Sequence, residues 1–392
     1  MSVSKQHIAN KVLHYLKANH EIMLKFLKDM VSIESPSNNK QALNTILQFI
    51  ENKLDTLGFY SIRVSGKNTG GYLYARPKKR KKNKPLQLLV GHCDTVWSIN
   101  TINNIPITQH DGKLTGPGVY DMKAGLTQIL FSLLAIKELS LNLNTTPIIL
   151  INTDEEIGST ESTHAIKRLS KIVSRAYILE PPLGLDGKLK TARKGVGRFT
   201  ITVKGKAAHA GLDPEKGVNA IVELSHQVQQ LYAMNDFKKG ITVNIGMIQG
   251  GNSPNVVASE STAVIDVRVY NDEDGKYITK KIHQLKPMLQ DVILSIEGGI
   301  GRQPMEKTPR NQQLWKKAKA NGKLMGLILE QATSGGGSDG NTTSIYTATL
   351  DGLGTTGDGA HAKHEFIYTD KLIERTTLLT LLLLEDDLVN NN

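Results

Sequence analysis

Two short stretches, Leu86–Val90 and Pro147–Asn152, constrain this chain more than any others, because they are apolar almost throughout and not merely at alternate positions. A strand of that kind is buried on both faces, as in a sheet covered by helices on either side. Ala176–Leu179 is a shorter run of the same sort, and Tyr72–Ala75 adds another short strand. Residues 8–60 read largely as helices, with Leu43, Leu47, Ile50, Leu54 and Leu57 at helical spacing and Gly58 closing them. Gly125–Leu139 reads as a further helix. Strands and helices in alternation imply an α/β sheet with helices on both faces.

The pattern changes near Gly195. Phe199–Lys204 alternates, Val218–Met234 is helical, Ile241–Ile248 is a strand, Thr262–Tyr270 alternates, Asp274–Lys286 is helical and Val292–Ile296 is a strand. That order, β-α-β-β-α-β, is a ferredoxin-like split unit with its own helices for one face of its sheet. After Pro304 helices and buried strands return, and Leu378–Leu384 reads as a helix or strand packed into a core, far too short to span a bilayer. With 392 residues, one core is not expected. The simplest organisation is an α/β domain in two parts, residues 1–194 and 305–392, interrupted by an α+β domain at 195–304.

The only cysteine is Cys93, so no disulfide forms within the chain and a reducing compartment fits. Met1–Leu24 lacks the apolar core of a signal peptide. Cytoplasmic residence is the expectation, without a membrane partner. The net charge is +11, but seven basic residues fall between Arg76 and Lys84, and without them the balance is +4. That run reads as a solvated hairpin loop between two strand-like stretches, the alternative being a polyanion-binding patch. No aromatic residues interleave with it, and nucleic acid is not an expected partner.

Three motifs stand at or near the carboxyl ends of predicted strands, where α/β sheets place ligand sites. In Leu89-Val90-Gly91-His92-Cys93-Asp94, His92 and Asp94 share a face of an extended segment while Cys93 points away. His92 can bind a metal with Asp94 holding its ring, or can be an ordinary strand-end histidine. In Gly116-Pro117-Gly118-Val119-Tyr120-Asp121, Asp121 is a ligand or the N-cap of the helix that follows. Asp154-Glu155-Glu156 is the strongest signal, since three acids after a buried strand repel one another unless a cation sits among them. An acidic first helical turn is the plainer account. Adjacent glutamates can divide tasks, one ligating and one activating water. Glu180, before Pro181-Pro182, and His361, in a glycine-rich loop, complete a set of oxygen and imidazole donors. His92, Asp121, Glu156, Glu180 and His361 give three ligands to each of two ions if one carboxylate bridges. Imidazole without thiolate points to two Zn2+, with Mn2+ or Co2+ as substitutes.

The order and wording of these motifs resemble the M20 metallopeptidase family, especially its glutamate carboxypeptidase branch. The resemblance extends to Gly205-Lys206-Ala207-Ala208-His209-Ala210-Gly211, Gly217-Val218-Asn219-Ala220, Gly251-Asn252-Ser253-Pro254-Asn255-Val256-Val257, Asp266-Val267-Arg268, Gly301-Arg302 and Gly335-Gly336-Gly337-Ser338-Asp339. It implies His92 and Glu180 on one zinc, Glu156 and His361 on the other, Asp121 bridging, and Glu155 as general base. It implies that His209, on a lid that also forms a homodimer, stabilises the oxyanion from the neighbouring subunit. Asn255, Arg268 and Arg302 would help hold substrate. Ala258 departs from the pattern, which has proline there. The activity implied is release of a C-terminal amino acid, glutamate above all, from a small peptide or N-acyl amino acid. An aminoacylase or N-acyl amino acid deacylase of the same chemistry is the alternative, and a binding protein that keeps the fold is a third.

Overall fold

A computed structural model of the chain describes residues 4–388. Its contacts divide into two units: one runs to Thr191 and takes in Lys307–Thr333 and the chain from Ser338, and the other is Ala192–Glu306 with Ser334–Gly337.

The first unit is built on a six-stranded sheet in the order Phe59–Val64, Tyr72–Pro77, Thr146–Asn152, Leu86–His92, Arg175–Ile178 and Ala348–Leu350. The last four strands are mutually parallel, and Tyr72–Pro77 runs antiparallel to both its neighbours. Burial on both faces is what the apolar runs demanded. Leu89, Ile149, Ile151 and Tyr177 pack on one side with helices Ala124–Glu138 and Thr369–Leu384. Leu88, Val90, Ile148, Leu150 and Ile178 pack on the other against Ala165 and Ile166 of helix Thr163–Ser170. Each such aliphatic side chain contributes about 1.5–3 kcal/mol of burial. The stretch Val119–Glu138 is apolar and long enough to cross a membrane by composition, yet 89% of its apolar window is buried inside the protein. It is a core helix. Gly125 lets that helix close on the sheet, since a Cβ there would stand 2.2 Å from the Leu179 carbonyl oxygen.

Two expectations need correction. Residues 59 and 60 do not continue the helices: Lys40–Thr56 ends before Gly58, and Phe59–Val64 is an edge strand whose alternating burial gives only a weak pattern. The basic run is exposed as expected, but it closes no hairpin, because Thr146–Asn152 lies between the two strands it joins.

The second unit holds the β-α-β-β-α-β series Gly195–Lys204, Ala220–Tyr232, Thr242–Gly250, Glu260–Val269, Asp272–His283 and Ile293–Arg302. Its sheet order places the first and third strands at the centre, and every neighbouring pair is antiparallel. Alternate residues such as Phe199, Ile201, Ile265 and Val267 form its core with Leu224, Leu231, Ile278 and Ile282 of the helices. Asn219 caps the first helix, its side chain accepting from the N–H groups of Ile221 and Val222.

Candidate metal centre

Strand register brings the acidic motifs together. His92 lies opposite Asn152, and Val90 lies opposite Ile178, so the chain leaves the sheet along one edge after His92, Asn152 and Leu179. Glu155 and Glu156 occupy a short helical turn just beyond, and Glu180 follows Leu179. A separate small sheet sets the other two donors side by side. Gly357–Asp358 pairs with Phe366–Tyr368, which pairs with Lys113–Thr115. The loop carrying His361 is thereby held next to the loop carrying Asp121.

The five donors form two groups that share one residue: His92, Asp121 and Glu180, and Asp121, Glu156 and His361, the ligand atoms of each group lying within 4.8 Å of one another. Asp121 divides its carboxylate between them. Its Oδ1 is 3.1 Å from His92 Nε2, and its Oδ2 is 3.7 Å from His361 Nε2. Glu180 Oε1 is 3.5 Å from His92 Nε2, and Glu156 Oε2 is 2.9 Å from His361 Nε2. All are buried or half-buried except His361, whose side chain is 52% exposed. His361 also adopts a φ of 61°, a left-handed conformation uncommon outside glycine.

Asp121 is not a helix cap. The helix begins at Ala124 after Lys123, with no side-chain cap, and Asp121 has the extended-like φ of −115° and ψ of 96°. Asp94 is fully buried and faces three ways. Its Oδ1 is 3.4 Å from His92 Nδ1, its carboxylate accepts from the backbone N–H groups of Glu155 at 3.3 Å and Glu156 at 3.2 Å, and the Ser37 hydroxyl donates to it at 2.7 Å. It therefore orients both the imidazole and the acidic turn. Of the three acids in that turn, Asp154 serves structure, accepting from the N–H groups of Glu161 and Ser162. Glu155 is half-buried beside Glu156.

One residue absent from the expected set stands out. Glu365 is buried, and it accepts hydrogen bonds from the Trp97 indole at 2.9 Å and from the N–H groups of Gly118, Tyr120 and Asp121 at 2.8, 2.9 and 3.0 Å. Its only signal in the sequence was its place four residues after His361.

The electrostatics follow from carboxylates packed around two imidazoles. Burial works against charge on His92, but its hydrogen bonds to Asp121, Asp94 and Glu180 outweigh it and lift its pKa well above the ordinary histidine value. The Glu156 carboxylate pushes His361 up to about 9. Burial and then Asp121 raise the pKa of Glu156, although His361 opposes them. Glu156 Oε1 is buried and has no hydrogen-bond partner. Carboxylates gathered on two imidazoles, one oxygen unsatisfied, match the oxygen and nitrogen donors that divalent cations take. Cys93 is excluded as a thiolate ligand, since burial pushes its thiol pKa up and its Sγ lies 3.5 Å from the Asn152 carbonyl.

Comparison with known proteins gives this geometry a family. Residues 191–286 match the peptidase dimerisation domain of the M20 type. The chain is 30% identical over 381 residues to carboxypeptidase G2 of Pseudomonas sp. (strain RS-16), spanning 93% of this chain and 89% of that protein. The chain belongs to the M20 metallopeptidase family. It is a hydrolase of that family. The fold is shared with the aminopeptidase PepT of Bacillus cereus ATCC 10987, with a TM-score of 0.77 at 21% identity, covering 93% of this chain and 98% of that one. It is shared also with the Bacillus subtilis YXEP protein, described as a dinuclear metal binding peptidase, with a TM-score of 0.70 at 16% identity and coverage of 94% and 98%.

The remaining expected residues lie in the second unit, His209, Asn255 and Arg268 within the matched dimerisation domain and Arg302 beyond it. His209 and Asn255 are neighbours there: the Ala210 N–H donates to the Asn255 carbonyl at 3.0 Å, and His209 and Val256 form a β-bridge. The exposed His209 ring accepts at Nδ1 from the N–H groups of Gly211 at 3.1 Å and Leu212 at 3.2 Å. Those bonds assign the proton to Nε2, leaving that nitrogen as a donor. Arg268 is already engaged, its Nε and Nη2 bonding the carboxylate of Asp266 on the same strand at 2.7 and 3.0 Å. The Arg302 side chain passes over Gly337, where a Cβ would stand 3.0 Å from Arg302 Cδ. That close approach accounts for glycine at position 337.

Proposed function

We propose that this protein releases a C-terminal amino acid, glutamate foremost, from a small peptide or N-acyl amino acid, using two divalent ions, preferentially zinc, shared through Asp121. The observation that carries the reading is the division of Asp121, one carboxylate oxygen toward His92 and the other toward His361. His92 and Glu180 would hold one ion, and Glu156 and His361 the other. The ions, when bound, supply Lewis acidity to the scissile carbonyl and bring a water molecule toward deprotonation near neutral pH.

The side chains do the rest. Glu155 takes the proton of the attacking water and passes it to the departing amine, so that one carboxylate serves as base and then acid. Asp94 keeps His92 in register and holds the backbone of Glu155 and Glu156, which keeps base and ligand on their separate tasks. His209 offers its Nε2 proton to the developing oxyanion, supplied by a second subunit of a homodimer formed through the dimerisation domain. Exposed Ile221, Val222, Tyr232, Met247 and Ile248 on the first helix and edge strand of that domain support such pairing. Asn255 and Arg302 hold the substrate carboxylate.

The test is a panel of N-acyl amino acids and dipeptides offered to zinc-loaded protein, with free amine as the readout. Release of the C-terminal residue, strongest for glutamate and abolished by chelation, is expected. Turnover confined to small acyl groups irrespective of the C-terminal residue would make the protein a deacylase, and no turnover with both ions bound would remove catalysis.

A further inference from the structure

Resting on that two-ion reading, we propose that Glu365 is a positioning residue of the metal centre. Its carboxylate fixes the Asp121 loop against the His361 turn and so sets the ion site made by Asp121, Glu156 and His361.

The argument begins with what the carboxylate joins. Oε1 accepts from the N–H groups of Tyr120 and Asp121, and Oε2 accepts from Gly118 N–H and the Trp97 indole. A buried anion ringed by oriented N–H groups is strongly held. Glu365 itself closes the turn that carries His361, through Glu365 N–H to the Ala362 carbonyl at 3.0 Å and Ala362 N–H to the Gly359 carbonyl at 2.8 Å. One side chain therefore ties the backbone of the shared ligand to the turn of a ligand on the far side.

The two ion sites depend on that tie unequally. His92 sits on a central strand, and its ring is braced by Asp94, whose backbone carbonyl is 3.0 Å from Nδ1. Glu180 directly follows the strand Arg175–Ile178 and Leu179. Both are positioned by the sheet, so Glu365 reaches that ion through Asp121 alone. His361 lies in an open loop, half-exposed, with Glu156 and Asp121 as its near neighbours. Glu365→Gln keeps the volume and one oxygen, but whichever way the amide turns, two N–H groups lose their acceptor and face an NH2 group. The consequence falls hardest on the His361 site, where Glu365 holds both the Asp121 loop and the His361 turn.

Metal-free wild-type protein and Glu365→Gln are titrated with Zn2+ against a chromophoric chelator, and with Co2+ followed by its visible absorption. The wild type should take two ions. The variant should keep one affinity within about threefold while the other weakens by roughly 10–100-fold. A carboxylate serving only the fold would spare both sites or weaken both together, and either pattern in the variant overturns the assignment. A wild type that takes fewer than two ions overturns it as well, by overturning the two-ion reading itself. If Glu365→Gln does not fold, Trp97→Phe removes one donor and leaves the backbone intact: weakening of one ion by about threefold or more supports the assignment, and two unaltered affinities overturn it.

Discussion

Glu155 and Glu156 are neighbours in one short turn, with Glu156 Oε2 2.9 Å from His361 Nε2, and the proposal makes Glu155 the base and Glu156 a ligand. Replacing Glu155 with Gln should lower kcat by roughly 10² or more while both ions stay bound. Glu156→Gln should instead lose an ion. Metal analysis and turnover on the two variants decide it, and the opposite pattern would exchange the roles. Protonation offers a second test. Glu156 raises the pKa of His361 to about 9, above the unfolded value of about 6.5. Its contribution to the stability of metal-free protein is therefore complete below about pH 6.5 and lost as pH rises through about 9. An ion takes the neutral ring, so uptake near pH 7.5 should expel protons. Calorimetric titration in buffers of different ionisation heat would report this, and heats independent of buffer would contradict it.

Among the elements, the contact of helix Ala124–Glu138 with the sheet bears most directly on the site, because Leu179 precedes Glu180. Gly125→Ala would press a methyl group against the Leu179 carbonyl. We expect a loss of about 1–3 kcal/mol in urea unfolding, together with weaker binding of the ion that Glu180 helps to hold. A variant as stable as the parent would show that the helix can retreat at no cost. The central strands were legible because burial on both faces leaves a continuous apolar run in the sequence. The residues that cluster into the two candidate donor groups were legible because carboxylates and imidazoles recur at the ends of buried strands. Strand order is another matter: the basic run looked like a hairpin because nothing local tells that a strand from residues 146–152 will intervene. Phe59–Val64 escaped because an edge strand buries alternate residues only. Glu365 escaped because its partners are mostly backbone N–H groups, which every sequence offers everywhere.

For the molecule as a whole, the proposal gives His209 of the dimerisation domain a part in catalysis. His209 is exposed, its Nδ1 accepts from two backbone N–H groups, and the proposal has its Nε2 proton act on a neighbouring subunit's substrate. Alone, His209→Ala should lower kcat by roughly 10² or more, with ions retained. Mixed with Glu155→Gln under subunit exchange, it should regain activity, because one site of each heterodimer then has both residues. No recovery despite proven exchange would place His209 in its own subunit's site or outside catalysis. All of these outcomes presuppose the shared Asp121, and that is best tested by anomalous diffraction at the zinc edge from crystals grown with zinc. Two peaks about 3.5 Å apart, with one oxygen of Asp121 on each, are predicted. A single peak, or two peaks of which Asp121 touches one at most, would contradict the account.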